Sequence, residues 1–273
     1  MKAAHLLKEG EKRLQPSPDA RWDARELLEA ALAIEHSAFV RRLVQDVSEE
    51  ETQRYYALIQ RRKADEPTQY ILGKAWFMGL EYEVDARVLI PRQDTELLCE
   101  EALAFAKNND CKNALDLCTG SGALAIALSV HGKLEVTATD LSADALCVAN
   151  KNAKNNAVQI DFRQGDLMEV LRPDEKYDLI VCNPPYLTQR DMDELQDEVK
   201  KEPSMALYGG ADGLIFYRRL AKEAKAHLKP GGALLMEIGA AQGESVPALF
   251  EGWKTRVLKD LNGLDRVVEA IPE

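Results

Sequence analysis

The sequence predicts an α/β protein: a doubly wound sheet, preceded by a small helical domain and joined to it by a β-hairpin. Three observations carry this expectation. Residues 1–65 hold a helical period, and residues 66–91 break into short aromatic and β-branched runs around Gly73 and Gly79. From Cys111 onward, short apolar runs ending in polar residues alternate with helical segments. The expected boundaries are 1–70 for the helical domain, 71–91 for the hairpin and 92–273 for the α/β domain.

In "SPDARWDARELLEAALAI", Ser17 is the expected N-cap with Pro18 in the first turn, and Ala24, Leu27, Leu28, Ala31 and Leu32 fall on one helix face. A second helix begins after Ser48 and sets Tyr55, Tyr56, Leu58 and Ile59 on its apolar side. Pro91 closes the hairpin region, and "QDTELLCEEALAFAKNN" returns to helical spacing with Thr95 as the expected cap. The strands then read "NALDLC", "LEVTATD", "VQIDFRQGD", "YDLIVCN" and "GALLMEIG". "WKTRVLKD" and "RVVEAIP" follow as terminal strands, the last expected as an antiparallel partner.

Composition narrows the functional classes. No run of 18 apolar residues occurs, and the opening "MKAAHLLKEGEKRL" turns charged at Lys8 and Glu9, too soon for an export signal. The expectation is a soluble, cytoplasmic protein without membrane association. The net charge is -11, which disfavours stable, sequence-independent binding to nucleic acid. Residues 1–70 carry 12 Lys+Arg against 13 Asp+Glu, so nearly all the excess lies downstream. The runs Arg41–Arg42 and Arg61–Lys63 read either as solvated helix faces or as a docking surface. Five cysteines without a CxxC pair, four histidines and no HExxH give no expectation of a disulfide framework or a metal site. Cys182, inside a strand, reads as a small core hydrophobe.

Ligands of such a sheet lie beyond the carboxyl ends of its strands. There the turn Cys118, Thr119, Gly120, Ser121 and Gly122 allows close approach to backbone, although it is not GxGxxG. Asp140, ending the second strand, has the position and chemistry to accept both hydroxyls of a ribose. Asp166 is suited to an exocyclic adenine amine, with Leu167 covering the ring. Together these strand ends describe an adenosine-shaped groove without choosing between a nicotinamide and a sulfonium cofactor.

The fourth strand end makes that choice. In "NPPY", two prolines fix φ and stiffen the corner that holds Asn183. The Asn183 side-chain oxygen and the Pro184 carbonyl are positioned to accept the two N–H bonds of a planar NH2 group, while Pro185 leads to Tyr186, whose ring offers it a face.

With "YILG", "FMGLEYEV", "LIPRQDTE", "DLCTGSGALAIAL", "TATDLSADAL", "YDLIVCNPPYL", "EPSMALYGGADGL", "MEIGAAQGE" and "DLNGLDRVV" in order, nearly the whole chain resembles the bacterial peptide chain release factor glutamine methyltransferases, class I (Rossmann-like) enzymes dependent on S-adenosylmethionine. The resemblance implies S-adenosyl-L-methionine at Cys118–Gly122, its ribose on Asp140 and its adenine beside Asp166 and Leu167, with Asn183 shared between cofactor and substrate. It implies that Asn183, Pro184, Pro185 and Tyr186 hold the glutamine of the Gly-Gly-Gln loop of a class 1 release factor, that S-adenosyl-L-homocysteine is the product, and that no metal takes part. Pro91, Arg92, Thr95 and Glu96 match a family element at the domain entrance. Two positions depart from the pattern. Cys118 stands where many relatives have glycine, a fit if its φ is negative, and Gln93 stands where they have proline.

The resemblance also implies that the helical domain recognises a remote surface of the release factor. The competing readings are an adenine-N6 methyltransferase of DNA or RNA, which presents a similar amine but needs a basic groove, and a cofactor-binding scaffold without turnover.

Overall fold

The computed structural model describes residues 1–273, and contacts divide the chain into two units. One comprises Met1–Lys74 together with Gln196–Lys201, and the other comprises Ala75–Leu195 with Glu202–Glu273. The return of Gln196–Lys201 to the first unit has no signature in the local sequence.

The first unit contains α1 (Ala3–Leu14), α2 (Ala20–Ala31), α3 (Phe39–Leu43), α4 (Glu49–Lys63) and α5 (Thr68–Leu72). Its core gathers Leu6, Leu27, Leu28, Phe39, Tyr55 and Ile59. Ser48 caps α4 through a complete capping box with Glu51. Ser17 does not cap α2. Its hydroxyl accepts from the Asp19 N–H at 3.3 Å in the preceding turn, and the helix starts behind Asp19. The stretch at 68–72, expected among the short extended runs, is helical and ends at Gly73 with φ 70°. The arginine runs are not solvated throughout. Arg62 is buried and donates to Asp23 at 2.7 Å, while its other end pairs with Glu198. Arg42 is bidentate to Glu51, and Arg61 pairs with Glu66.

The second unit opens with the hairpin β1 (Lys74–Phe77) and β2 (Leu80–Glu83), then α6 (Gln93–Asn108). β3 (Asn113–Leu117), α7 (Ala123–Gly132), β4 (Glu135–Asp140), α8 (Ala143–Asn155), β5 (Asp161–Gln164) and β6 (Tyr177–Cys182) follow. The chain closes with α9 (Gln189–Asp193), α10 (Ile215–His227), β7 (Leu228–Glu237), β8 (Trp253–Lys259) and β9 (Asp265–Pro272). The seven-stranded order is β5-β4-β3-β6-β7-β9-β8, with β5 to β7 parallel and β9 antiparallel to both its neighbours. No helix is long and apolar enough to cross a membrane.

Alternation along the strands covers both sheet faces. Ala114, Val136, Leu179, Val181 and Leu235 face α6 and α7 in one core, while Leu115, Leu117, Ile180, Leu234 and Val268 meet Tyr217 and Leu220 of α10 in the other. From Ala123 to Leu128 α7 is buried on every side, which explains its unbroken apolar sequence. The sheet order reverses between β3 and β6, the position where an open α/β sheet leaves a crevice.

Candidate active site

Register puts the site together. Leu117 pairs with Thr139 of β4 and with Cys182 of β6, so Cys118, Asp140 and Asn183 leave three adjacent strands at one level. They line one cavity with Gly120, Asp166, Leu167 and Pro185, with Leu141 and Phe216 beside them. Of the expected site residues, Thr119, Ser121, Gly122, Pro184 and Tyr186 are not on its wall; they shape what the wall presents. No group of three or more His, Cys, Asp or Glu side chains is arranged to hold a metal ion.

The turn after β3 is built from positive φ angles: 59° at Cys118, 55° at Gly120 and 82° at Gly122. Cys118 therefore does not meet the condition of negative φ under which a cysteine fits this turn without strain. It occupies the left-handed region that favours glycine, at a steric cost of about 1–2 kcal/mol. Gly122 is required by packing as well, since a Cβ there would stand 3.1 Å from the Ala149 side chain of α8. Thr119 turns inward and donates to Asp116 Oδ2 at 2.6 Å, and the Ala125 N–H donates to the same oxygen at 3.1 Å. Asp116 Oδ1 is buried without a partner, and burial pushes the carboxyl up to about 7. The Ser121 carbonyl accepts from Asn152 at 2.9 Å, which ties the turn to α8.

Asp140 accepts the Gly120 N–H at 2.8 Å on one oxygen and the Ser142 N–H at 2.8 Å on the other. A carboxylate has about four acceptor positions, so two remain. Burial raises its pKa, against these two bonds. Asp166 pairs with Arg219 of α10 at 2.7 Å, a partner 53 residues away that sequence reading missed. Leu167, with φ 51°, is buried, and its carbonyl accepts from Thr139 at 3.0 Å. Leu141 and Met205, inside quoted motifs but without an expected role, and Phe216, outside them, add apolar wall.

The corner after β6 is clamped from both ends. Leu187 donates to the Leu207 carbonyl at 2.9 Å and accepts from Gly209 at 2.8 Å, so "ALYGG" lies against it. Glycine is needed at 209 because a Cβ would lie 2.6 Å from the Pro185 carbonyl oxygen. Asn183 Nδ2 donates to Thr95 Oγ1 at 3.1 Å, and Thr95 donates to the buried Glu237 at 2.6 Å. The Tyr186 hydroxyl reaches the other Glu237 oxygen at 3.4 Å. Thr95 is thus not the cap of α6. The helix starts at Gln93 behind Arg92, which leaves the threonine hydroxyl inside the helix and free to turn toward β7. Arg92 pairs with the buried Glu202, whose other oxygen accepts the Ile90 N–H at 3.0 Å. Cys182 is fully buried and its thiol is pushed well up by burial, consistent with a core role.

Known proteins match this arrangement over its length. A family model described as PrmC N-terminal domain matches residues 5–73, and one described as methyltransferase small domain matches residues 93–211. The release factor glutamine methyltransferase of Cereibacter sphaeroides is 40% identical over 99% of this chain and 98% of its own. That of Streptococcus pneumoniae is 42% identical over 84% of each chain. Among solved structures, the Thermus thermophilus 16S rRNA N2 G1207 methyltransferase in complex with AdoMet and guanosine shares the fold, with TM-score 0.52 and 20% identity over 73% of this chain and 50% of that one.

Proposed function

The chain belongs to the release factor glutamine methyltransferase family, and from that premise we propose how its residues carry out the reaction. It methylates a release factor glutamine; the target we assign is the N5 amide nitrogen of the Gly-Gly-Gln loop of class 1 release factors. S-adenosyl-L-methionine supplies an electrophilic sulfonium methyl and leaves as S-adenosyl-L-homocysteine. The cavity fits that cofactor: a free pair of acceptor positions on Asp140 for a ribose, and apolar Leu141, Leu167 and Phe216 for a base.

An amide nitrogen shares its lone pair with its carbonyl and attacks poorly. The chain's contribution is to fix it and to stabilise the charge that develops there. Asn183 Oδ1 and the Pro184 carbonyl accept the two N–H bonds, which orients the nitrogen and favours positive charge on it as the transition state forms. Tyr186 presents its ring, and Pro185 on the cavity wall helps exclude water. The single observation carrying this reading is the donation from Asn183 Nδ2 to Thr95, which leaves the Asn183 oxygen as the acceptor for substrate. Glu237, the carboxyl nearest the corner, is engaged by Thr95 and by the Tyr186 hydroxyl, and we place proton loss after methyl transfer, when the nitrogen is far more acidic.

The helical unit we assign to recognition of the release factor away from its glutamine. It presents a groove lined by Leu7, Trp22, Phe39 and Leu43, and Trp22 is 63% exposed. The enzyme acts in the cytoplasm with its substrate, without stable nucleic-acid binding.

The test is to incubate the protein and labelled cofactor with release factors carrying glutamine or alanine in the loop, and to locate the added methyl by peptide mass spectrometry. Label on the glutamine peptide, absent from the alanine form, is expected. Label appearing instead on DNA or RNA adenine in a parallel tube would overturn the assignment.

A further inference from the structure

One buried carboxylate meets the Tyr186 end of the Asn183–Tyr186 corner directly and the Asn183 end through Thr95. Glu237, 2% exposed at the end of β7, accepts from Thr95 Oγ1 at 2.6 Å on one oxygen and from the Tyr186 hydroxyl at 3.4 Å on the other. Thr95, 6% exposed, then accepts from Asn183 Nδ2 at 3.1 Å. A hydroxyl has one proton to give. Once the Thr95 proton is committed to a carboxylate, the hydroxyl can only accept from Asn183, and the amide must turn its NH2 toward it.

We propose that Glu237, acting through Thr95, sets which way the Asn183 amide faces, so that both are positioning residues for the acceptor oxygen that meets the substrate amide. This rests on the functional reading above, in which Asn183 Oδ1 accepts from glutamine. A reversed amide would set NH2 against NH2, two donors and no acceptor.

The relay has a direction that protonation reverses. A protonated Glu237 is a donor to Thr95, whose own proton is then free for Asn183, and that amide turns its oxygen away from substrate. The groups facing Glu237 are Thr95 and Asp94 of α6, Arg266 of β9 and Tyr186 of the corner. Arg266 is shared with Asp94 at 3.2 Å and Asp260 at 3.1 Å, so its charge is divided. Burial raises the Glu237 carboxyl to about 7 and Asp94 adds to the rise, while Thr95, Arg266 and Tyr186 oppose it. The active orientation therefore belongs to the alkaline side of that value.

Two readouts test this on the full chain. In the first, methyl transfer to release factor is followed from pH 5.5 to 9 for the native protein, Thr95→Ser, Thr95→Val and Glu237→Gln, at saturating cofactor. The native protein and Thr95→Ser should gain at least about tenfold in rate on passing upward through neutrality. Thr95→Val should stay near the acid plateau at every pH and Glu237→Gln should lose the pH dependence, with cofactor affinity unchanged. The second readout needs no substrate: the side-chain NH2 resonances of Asn183, assigned by their loss in Asn183→Asp, are recorded over the same pH range. They should shift near pH 7 in the native protein and in Thr95→Ser, and stay still in Glu237→Gln. Asn183 resonances that ignore pH in the native protein, or a Glu237→Gln variant with the native pH profile, would overturn the proposal. Resonances that behave as expected beside a native protein that leaves glutamine unmethylated would uphold the orientation and overturn the functional reading instead.

Discussion

The Gly120 N–H donates to Asp140 Oδ2 at 2.8 Å across 20 residues of sequence, so the glycine turn after β3 and the acidic end of β4 form a single piece of the site. The Ser142 N–H holds the other Asp140 oxygen at 2.8 Å. The carboxylate is consequently fixed in direction before any ligand arrives.

An Asp140→Asn substitution keeps the shape but supplies only one oxygen, so one of those backbone N–H groups meets an amide NH2. Cofactor affinity should fall about 10- to 100-fold, the loss of a charge-assisted hydrogen bond worth roughly 1.5–3 kcal/mol. Calorimetric titration measures it, and an affinity within twofold of native would contradict the assignment of the ribose site.

Cys118 sits at φ 59°, where a side chain is strained and glycine is not. Cys118→Gly should raise stability by about 0.5–1 kcal/mol, the relief of left-handed strain being partly offset by the greater chain entropy of glycine. Cys118→Ala keeps the strain and loses the sulfur, so it should not gain. Urea unfolding of the two variants side by side decides the matter.

Asp116 is wholly buried with one oxygen unpartnered, and its carboxyl titrates at about 7 against an unfolded value near 4. Between those values the folded chain holds more protons than the unfolded one, so stability falls as pH rises through that window. The cost is absent below about pH 4 and complete above about pH 7. Glu237, also raised to about 7, adds a slope of the same sign. From pH 5 to pH 8 the native protein should lose about 2 kcal/mol more than Asp116→Asn, which has no charge to bury. Parallel slopes for the two proteins would show that this carboxyl titrates at an ordinary value.

In the helical unit, Arg62 satisfies Asp23 at 2.7 Å and also holds Glu198, while Thr68 donates to the second Asp23 oxygen at 2.7 Å. Arg62→Met fills the same space and leaves Asp23 buried without its counter-charge. It should destabilise by about 3–5 kcal/mol, read from urea unfolding, whereas a change below about 1 kcal/mol would mean that solvent reaches the pair.

Asp140 and Asn183 are legible in the sequence because each closes a largely apolar run, at the end of β4 and just after β6, whereas Asp166 lies two residues beyond β5, a strand with no apolar run. The partners of those residues were not legible. Arg219 of α10 reaches Asp166 from 53 residues away, and Glu237 of β7 reaches Thr95 of α6 across 142 residues, separations that only the packing of helices on the sheet makes short. Thr95 reads as a cap because it follows Pro91 and precedes a helical period. The helix begins three residues earlier than that reading allows, behind Arg92, and the Thr95 hydroxyl turns to the sheet instead. Likewise the aromatic run before Gly73 has strand-like composition, yet Tyr70 and Ile71 are buried within a short helix, where packing overrides propensity.

Methyl transfer depends most directly on the Asn183 side-chain oxygen. Single-turnover methyl transfer to a release factor, at saturating cofactor and pH 8, should be about 10²- to 10³-fold slower for Asn183→Ala than for the native protein, with release factor still bound. A rate within tenfold of native would mean that the corner does not hold the reacting amide as described.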